Sequence, residues 1–185
     1  MCLDTILKRR AVYPVQFNNQ PIPKEKIATI LESANWAPTH RRTEPWRFKV
    51  FYSEASRKAL SNFLGATYQK TSPAFSEVKL KKILEKPLQS ACVIAICFQR
   101  DPKESVPEWE EIAATAMAVQ NMWLTAHELK VGAYWSSHGI KDQLYEHIPF
   151  LEGEKCLGFF YMGNFDHALE SGTRNTSIHE KTSWF

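Results

Sequence analysis

The sequence has little that points to a metal, a membrane or a nucleic acid. Its four cysteines, at positions 2, 92, 97 and 156, form no CxxC pair and have no histidine at metal-ligand spacing beside them, which argues against a zinc site. No apolar run approaches the roughly 20 residues that span a bilayer. The formal net charge of +3 is spread along 185 residues without a long basic run, so the electrostatic footprint of a dedicated nucleic-acid-binding protein is missing.

Several local catalytic signatures are also missing. The chain contains no glycine-rich phosphate loop, no GxSxG elbow and no HExxH helix, which removes the simplest nucleotide-loop, hydrolase and metalloprotease hypotheses. The charges at the N-terminus follow a short apolar patch, which is not the pattern of a signal peptide. Cys92 and Cys97 stand at an odd offset in an apolar run, so on a strand they point to opposite faces as core residues. These features together favour a cytoplasmic protein.

The hydrophobic pattern predicts one domain over residues 1–185, with 164–185 as a polar C-terminal arm that ends in Ser-Trp-Phe. Helical periodicity, or a proline at the start, predicts helices over 3–10, after 21–23, and over 54–68, 108–130 and 141–147. A Lys-rich amphipathic segment is predicted over 73–86. Strands are predicted over 47–52, 90–98, 133–136 and 156–162. Because helices separate the strands and no hairpin signal occurs, we predict an α+β fold in which a mixed central sheet is flanked by helices.

A charged loop between two prolines is the first candidate for a ligand site. Pro38 and Pro45 force a fixed, non-helical connection, and between them lie His40, Arg41, Arg42 and Glu44. His40 has an alternative role as a helix C-terminal residue bonded to a nearby carbonyl. Glu44 is acceptor-only when ionised, and it has an alternative role as an ion-pair partner of Arg41, Arg42 or Arg47.

Arg9 and Arg10 form a second candidate. Planar guanidinium groups match phosphate oxygens two bonds at a time, but cations in a last helical turn also interact favourably with the helix dipole. A third candidate is Trp135-Ser136-Ser137, where small polar residues follow a strand and the alternative is an ordinary turn. Arg174 in the polar arm is either a further basic contact or a solvated side chain.

Taken in order, Arg9-Arg10, the motif Ala-Pro-x-His followed by Pro-Trp-Arg-Phe, and Gly-x-x-Trp-x-Ser resemble the nitroreductase family of flavin mononucleotide (FMN) enzymes in its compact single-domain type. The resemblance implies an intertwined homodimer with two FMN sites at the interface. In that dimer the long helix packs against its mate and the C-terminal arm embraces the partner. The apolar residues around most of the circumference of the helix predicted over 108–130, and the aromatic tail, independently favour such an interface.

The resemblance also implies roles for individual residues. Arg9 and Arg10 would hold the FMN phosphate, with Ala11 standing where relatives have serine. His40 and Glu44, which replaces a glutamine, would reach the flavin that the other subunit binds. The flavin ring would rest against Trp135, Ser136 and Ser137, and Arg174 would be a late phosphate contact.

The activity implied is that of an NAD(P)H oxidoreductase. Hydride chemistry would run in a ping-pong manner, with NAD(P)H leaving before a nitroaromatic, quinone or enone takes its place. The flavin carries the reactivity, so no side chain is predicted as a catalytic nucleophile and no metal is predicted. Ala11 and Glu44 keep a second hypothesis open, a flavin-binding or sensory module without efficient turnover. A third hypothesis, a dimeric interaction protein, predicts no flavin affinity.

Overall fold

The computed structural model describes residues 2–185. Its α-helices are Cys2–Lys8 (α1), Lys24–Ala34 (α2), Glu54–Thr71 (α3), Glu77–Gln89 (α4) and Glu108–Glu128 (α5). Short 3₁₀ helices occur at Pro14–Gln16, His40–Arg42, Gly139–Glu146 and His179–Lys181. The predicted helices are confirmed, except that the segment predicted as a helix over 141–147 is a 3₁₀ helix that begins two residues earlier.

Local capping explains where the helices begin. The hydroxyl of Ser53 accepts a hydrogen bond from the N–H of Ser56 at 3.1 Å before α3, and the hydroxyl of Ser76 accepts one from the N–H of Lys79 at 3.4 Å before α4. Such caps satisfy backbone donors that have no partner in the first helical turn. Pro23 stands before α2, where its missing N–H costs nothing.

The strands Trp46–Phe51 (β1), Cys92–Gln99 (β2), Gly132–Ser136 (β3) and Glu154–Gly163 (β4) form one sheet. Its strand order is β1-β2-β4-β3, and all three pairings are antiparallel. The α+β class is therefore confirmed, whereas the predicted mixed sheet is antiparallel throughout the described chain. The direction of the strands could not be predicted from the sequence, because helices connect these strands and tight hairpins do not.

The sheet has a core on each face, and β2 contributes to both. Cys92, Ile94 and Ile96 belong to the cluster under α2 and α5. Val93, Ala95 and Cys97 belong to the cluster under α3 and α4. This alternation confirms that Cys92 and Cys97 point to opposite faces, and it explains why β2 is apolar along its whole length.

Two regions predicted to be covered are open in the single chain. The long helix α5 buries one side, but Trp109 and Met117 remain 67% and 41% exposed. In the C-terminal arm, Trp184 is 90% exposed and Phe185 is fully exposed. These apolar side chains have no cover within their own chain, and the homodimer that would cover them stays a prediction. Among residues 2–185, none of the helices has the length and apolar character that crossing a membrane requires.

Candidate functional site

Three arginines meet where α1 ends. The guanidinium of Arg9 lies over the ring of Trp123 in α5, 4.6 Å from its centroid, and Arg9 Nε is buried without a hydrogen-bond partner in the described chain. Burial lowers the pKa of Arg9, and the charges of Arg10 and Arg174 lower it further. No carboxylate lies within 4.0 Å of these guanidinium groups among residues 2–185. Like charges brought together without a counter-ion make a site for an anion.

The sequence left two roles open for Arg9 and Arg10, ligand binding and stabilisation of the C-terminus of α1, and the structure gives each arginine a different one. Arg10 Nη1 donates to the carbonyl of Leu7 at 2.7 Å and to that of Arg9 at 2.6 Å, so Arg10 satisfies carbonyls at the C-terminus of α1. Its Nε donates to the carbonyl of Glu170 at 3.1 Å, which fixes the arm that carries Arg174. Arg9 makes no such bond. The guanidinium of Arg9 is therefore the one free to bind a ligand, and Arg10 holds the surrounding backbone.

The segment after Arg10 runs beside β3. The N–H of Val12 donates to the carbonyl of Ala133 at 3.0 Å, and the rings of Tyr13 and Tyr134 are 4.6 Å apart. This pairing brings Arg9, Arg10 and Ala11 next to the strand that ends in Trp135-Ser136-Ser137. The structure thus unites two of the predicted candidates in one protomer. Ala11 supplies only its backbone there, since it has no hydroxyl.

A close approach to β4 shapes the segment Trp135-Ser136-Ser137, the turn at the end of β3, whose first two residues still belong to the strand. Gly158 has a φ of +148°, and a Cβ placed on it would lie 2.6 Å from Trp135 Nε1 and closer still to the carbonyl oxygen of Ser136. Trp135 Nε1 is buried without a partner in the described chain. The side chain of Ser136 is buried, whereas Ser137 is exposed. The turn therefore rests on the sheet and presents its outer residue to solvent.

The loop of His40 and Glu44 lies elsewhere. His40 Nδ1 is 2.6 Å from Glu110 Oε2 at the start of α5, so the alternative bond to a nearby carbonyl is not formed. Arg41, Arg42 and Glu44 all have positive φ, between 42° and 55°, which is strained for residues with side chains. The carboxylate of Glu44 forms no ion pair in the described chain, and only its carbonyl accepts from Arg47, at 2.9 Å.

The two groups of candidates are far apart in one chain. His40 contacts Glu110, and Arg9 contacts Trp123. Those two residues of α5 are separated by thirteen positions, or about 20 Å at 1.5 Å per residue. A single protomer therefore brings Arg9, Arg10, Ala11, Arg174 and the turn after β3 together, and it leaves His40 and Glu44 outside.

The structure adds neighbours that sequence reasoning missed. Trp123 lies within the helix predicted over 108–130, and its ring lies under the guanidinium of Arg9. Lys86 Nζ lies 5.4 Å from the centroid of the Tyr134 ring, and His138 follows the turn with its Nδ1 buried and unpartnered in the described chain. The local signal for Lys86 was its helical spacing from Lys79 and Lys82. The contacts themselves join segments remote in sequence, so no local pattern could show them.

No group of three or more potential ligands for a metal ion occurs among residues 2–185. Cys97 and Cys156 are register partners on β2 and β4, and both are buried free thiols, as is Cys92.

The fold and the site together define a small α+β protein with a cluster of arginines beside one edge of its sheet. A family model described as the nitroreductase family matches residues 6–164. YfhC of Bacillus subtilis (strain 168), which carries the name of an NAD(P)H nitroreductase, is 31% identical over 169 residues, covering 90% of this chain and 86% of YfhC. This chain belongs to the nitroreductase family.

Solved structures agree with this assignment. A nitroreductase-like family protein from Bacillus cereus superposes with a TM-score of 0.83 at 28% identity, covering 100% of this chain and 96% of that one. A protein from Desulfovibrio desulfuricans, solved in complex with FMN, superposes with a TM-score of 0.73 at 22% identity, with 97% and 94% covered. At that lower identity the second comparison shows the shared fold.

Proposed function

We propose that this protein is an FMN-dependent NAD(P)H oxidoreductase that acts as a homodimer on nitroaromatics, quinones or related small oxidants. The observation that carries the proposal is the buried, unpartnered Nε of Arg9, in a cluster with Arg10 and Arg174. A phosphate monoester would satisfy that atom and the accumulated positive charge at once. The protein from Desulfovibrio desulfuricans binds FMN, and the matching fold here supports the same cofactor.

The residues present fit FMN at two points. Arg9 would bind the phosphate, with Arg174 adding charge and Arg10 fixing the backbone through the carbonyls of Leu7 and Glu170. The turn Trp135–Ser137 would support the ring, because Gly158 lets it lie close against β4. When bound, FMN supplies the hydride-transfer chemistry. The chain's own part is to bind, orient and surround the ring with fixed charges and dipoles.

The homodimer completes the site in this proposal. A two-fold axis near Met117, midway between Glu110 and Trp123 along α5, would place the His40 loop of one protomer opposite Arg9 of its partner. Met117 and Trp109 lie exposed on α5, as such a contact requires. The proposal keeps residues 1–185 as one domain and assigns the exposed aromatic arm, 164–185, to the partner's surface. His40 and Glu44 then contact the ring that the other protomer binds.

A flavin-binding module without efficient turnover is the second candidate. Two observations favour it: Ala11 offers no hydroxyl beside the phosphate site, and Glu44 offers no side-chain donor when ionised. Both changes reduce the hydrogen bonds available to a flavin. Turnover separates the candidates, since the module predicts bound flavin with negligible NAD(P)H oxidation.

The phosphate assignment is tested with two flavins. The protein should purify yellow, and after removal of the flavin it should bind both FMN and riboflavin, which lacks the phosphate. Arg9→Gln should weaken FMN binding by about 1.5–3 kcal/mol, the range for a hydrogen bond to a charged group, and should leave riboflavin binding unchanged. Lys8→Gln is the control, because Lys8 is exposed and pairs with Asp4 at 3.0 Å.

If Arg9→Gln weakened the binding of FMN and riboflavin equally, the phosphate assignment would be wrong. A colourless protein that does not bind added FMN would refute the whole proposal.

Steady-state kinetics test the order of the reaction. Oxidation of NADH or NADPH by a nitroaromatic should give parallel lines in a double-reciprocal plot, as a ping-pong scheme requires. Intersecting lines would contradict that scheme.

A further inference from the structure

A separate cavity lies at the opposite edge of the sheet from the arginine cluster. It has a volume of about 650 Å³ and opens where β1 ends and β2 begins, between the start of α3 and the end of α4. Because the strand order is β1-β2-β4-β3, three strand spacings, or about 14 Å, separate β1 from β3. The loop of His40 and Glu44 precedes the other end of β1. The cavity therefore shares no residue with the candidate site, and its volume is within the range of small-molecule sites.

Arg57 of α3 is the most constrained charged group in this cavity. Its Nη1 donates to the carbonyl of Ala91 at 3.2 Å and to that of Tyr52, which joins the end of β1 to the start of β2. Its Nε is buried without a hydrogen-bond partner in the described chain, and its Nη2 forms no hydrogen bond there either. Nε–H and Nη2–H point the same way from the planar guanidinium. This free edge matches the two oxygens of one carboxylate.

The cavity carries more positive than negative charge. Its lining includes Arg57 and Lys58 but only one carboxylate, that of Glu54, so two cations and one anion leave a net charge of +1. Glu54 precedes the two cations at the spacing of helical ion pairs, yet neither has a carboxylate within 4.0 Å among residues 2–185. A singly charged anion balances this lining, whereas a phosphate dianion leaves an excess of negative charge beside Glu54.

The remaining walls are partly apolar and are held in place by hydrogen bonds. Pro21 and Leu88 supply apolar surface. The hydroxyl of Tyr52 donates to the carbonyl of Ile22 at 3.1 Å, and Asn164 Nδ2 donates to the carbonyl of Pro21 at 3.0 Å. These bonds fix the segment that carries Pro21 against the end of β1. The cavity is therefore formed before a ligand binds, which reduces the cost of ordering it.

We propose that this cavity binds a small molecule that carries one carboxylate and a compact apolar body. The carboxylate pairs with the free Nε–Nη2 edge of Arg57 and satisfies the buried donor that the chain leaves without a partner. Lys58 adds charge, and the apolar body lies against Leu88 and Pro21. The site needs neither flavin nor turnover, so it goes beyond the proposed function and does not depend on it.

The first test uses cyclohexanecarboxylate as the probe and cyclohexanecarboxamide, which has the same ring without the charge, as its control. A saturated ring is chosen because it does not stack on a flavin as an aromatic ring does. The full chain is loaded with FMN, and the Nε–H resonance of Arg57 is followed in ¹H–¹⁵N spectra. The carboxylate should shift this resonance along a saturable curve, and the amide should leave it unchanged.

A shift that does not saturate, or equal curves for the carboxylate and the amide, would overturn the proposal. If the protein binds no FMN, the same titration is run on the chain as purified. Arg57 still reports on this cavity, so failure of the proposed function and failure of this proposal give different results.

The second test changes the charge of the cavity in both directions. Lys58→Gln should weaken binding of the carboxylate and Glu54→Gln should strengthen it, each by up to about fivefold, the effect of one exposed charge pair. Both side chains are exposed, so the variants should melt within a few degrees of the parent protein. The controls are Lys70→Gln on α3 and Glu77→Gln, which follows the serine cap of α4 as Glu54 follows that of α3. Equal changes in variants and controls would show only a general charge effect and would refute the site.

Arg57→Lys tests the pairing itself, because it keeps the charge and removes the two-pronged edge. It should weaken binding of the carboxylate about tenfold or more, the effect of a hydrogen bond between charged groups, with the side-chain amide of Asn62 in the cavity lining as the reporter. Unchanged affinity would exclude Arg57 as the partner of the carboxylate. If Arg57→Lys does not fold, because its bonds to the strand ends are lost, the opposite shifts of Lys58→Gln and Glu54→Gln decide the proposal.

Discussion

Replacing Gly158 with alanine should damage both the fold and the turn at Trp135–Ser137. Gly158 follows an irregularity in the pairing of β2 with β4, between Ile96 and Cys97, and its φ of +148° is a conformation that residues with side chains rarely adopt. The added Cβ would lie 2.6 Å from Trp135 Nε1 and closer still to the carbonyl oxygen of Ser136. A backbone carbonyl in a sheet cannot move away as a flexible side chain would.

The cost has two parts. Backbone strain of this kind costs about 1–3 kcal/mol, and overpacking in a tight core costs about 1–3 kcal/mol more. The sum, about 2–6 kcal/mol, is a large part of the roughly 5–15 kcal/mol that stabilises a domain. A loss near 3 kcal/mol corresponds to a fall of about 6–12 °C in melting temperature for a chain of this size.

Urea unfolding at a fixed protein concentration measures the loss, and Gly139→Ala is the control. Gly139 lies in the segment after the same turn, has no positive φ, and a Cβ on it would meet nothing within 4 Å. We expect Gly139→Ala to stay within about 0.5 kcal/mol of the parent. If Gly158→Ala also stays within that margin, the close approach of β4 to the turn is wrong. If it unfolds early but binds FMN as before, the turn does not support the ring.

Two further predictions concern His138 and α5. The pKa of His138 lies near 4 in the folded chain and about 6.5 in the unfolded one, so the unfolded state alone binds this proton between those values. The free energy of unfolding should therefore fall by up to about 3 kcal/mol as the pH drops through that window. His138→Asn should lack this fall. Parallel curves of stability against pH for the variant and the parent would refute the prediction. Met117→Asp places a charge at the middle of the exposed face of α5 and should yield monomers in sedimentation experiments with loss of bound flavin. A variant that remains dimeric would exclude α5 from the interface.

The fold was largely predictable because its signals are local. The apolar run over 90–98 predicted β2 within two residues of its bounds, and the prolines at 21 and 23 predicted that α2 begins after them. Several helix ends were wrong by two to four residues, and the C-terminal end of α4 was wrong for a local reason: the segment was predicted to end at Lys86, before a proline, but the helix continues through Pro87 to Gln89. Proline removes one backbone donor, and the structure buries Pro87 inside the helix despite that loss.

The site was less predictable because its contacts join distant segments. The sequence identified Arg9 and Arg10 as candidates but could not assign their different roles. The ring that Arg9 contacts lies in α5, and a carbonyl that Arg10 bonds lies in the C-terminal arm. Likewise, the lysine spacing on α4 is visible in the sequence, whereas the contact of Lys86 with Tyr134 depends on how α4 packs against β3. Electrostatic sites of this kind depend on tertiary packing, and the sequence pattern shows only the residues that one segment contributes.

The charge distribution relates two cationic groups to a single strand end. Arg9 lies on the α5 side of the sheet, next to Trp123, and Lys86 lies on the α4 side, where it reaches Tyr134. Trp135 and Ser136 alternate between these faces, so the end of β3 separates two groups of the same sign. Under the proposed function, an anionic cofactor bound at the arginines offsets their charge and leaves the charge of Lys86 in place.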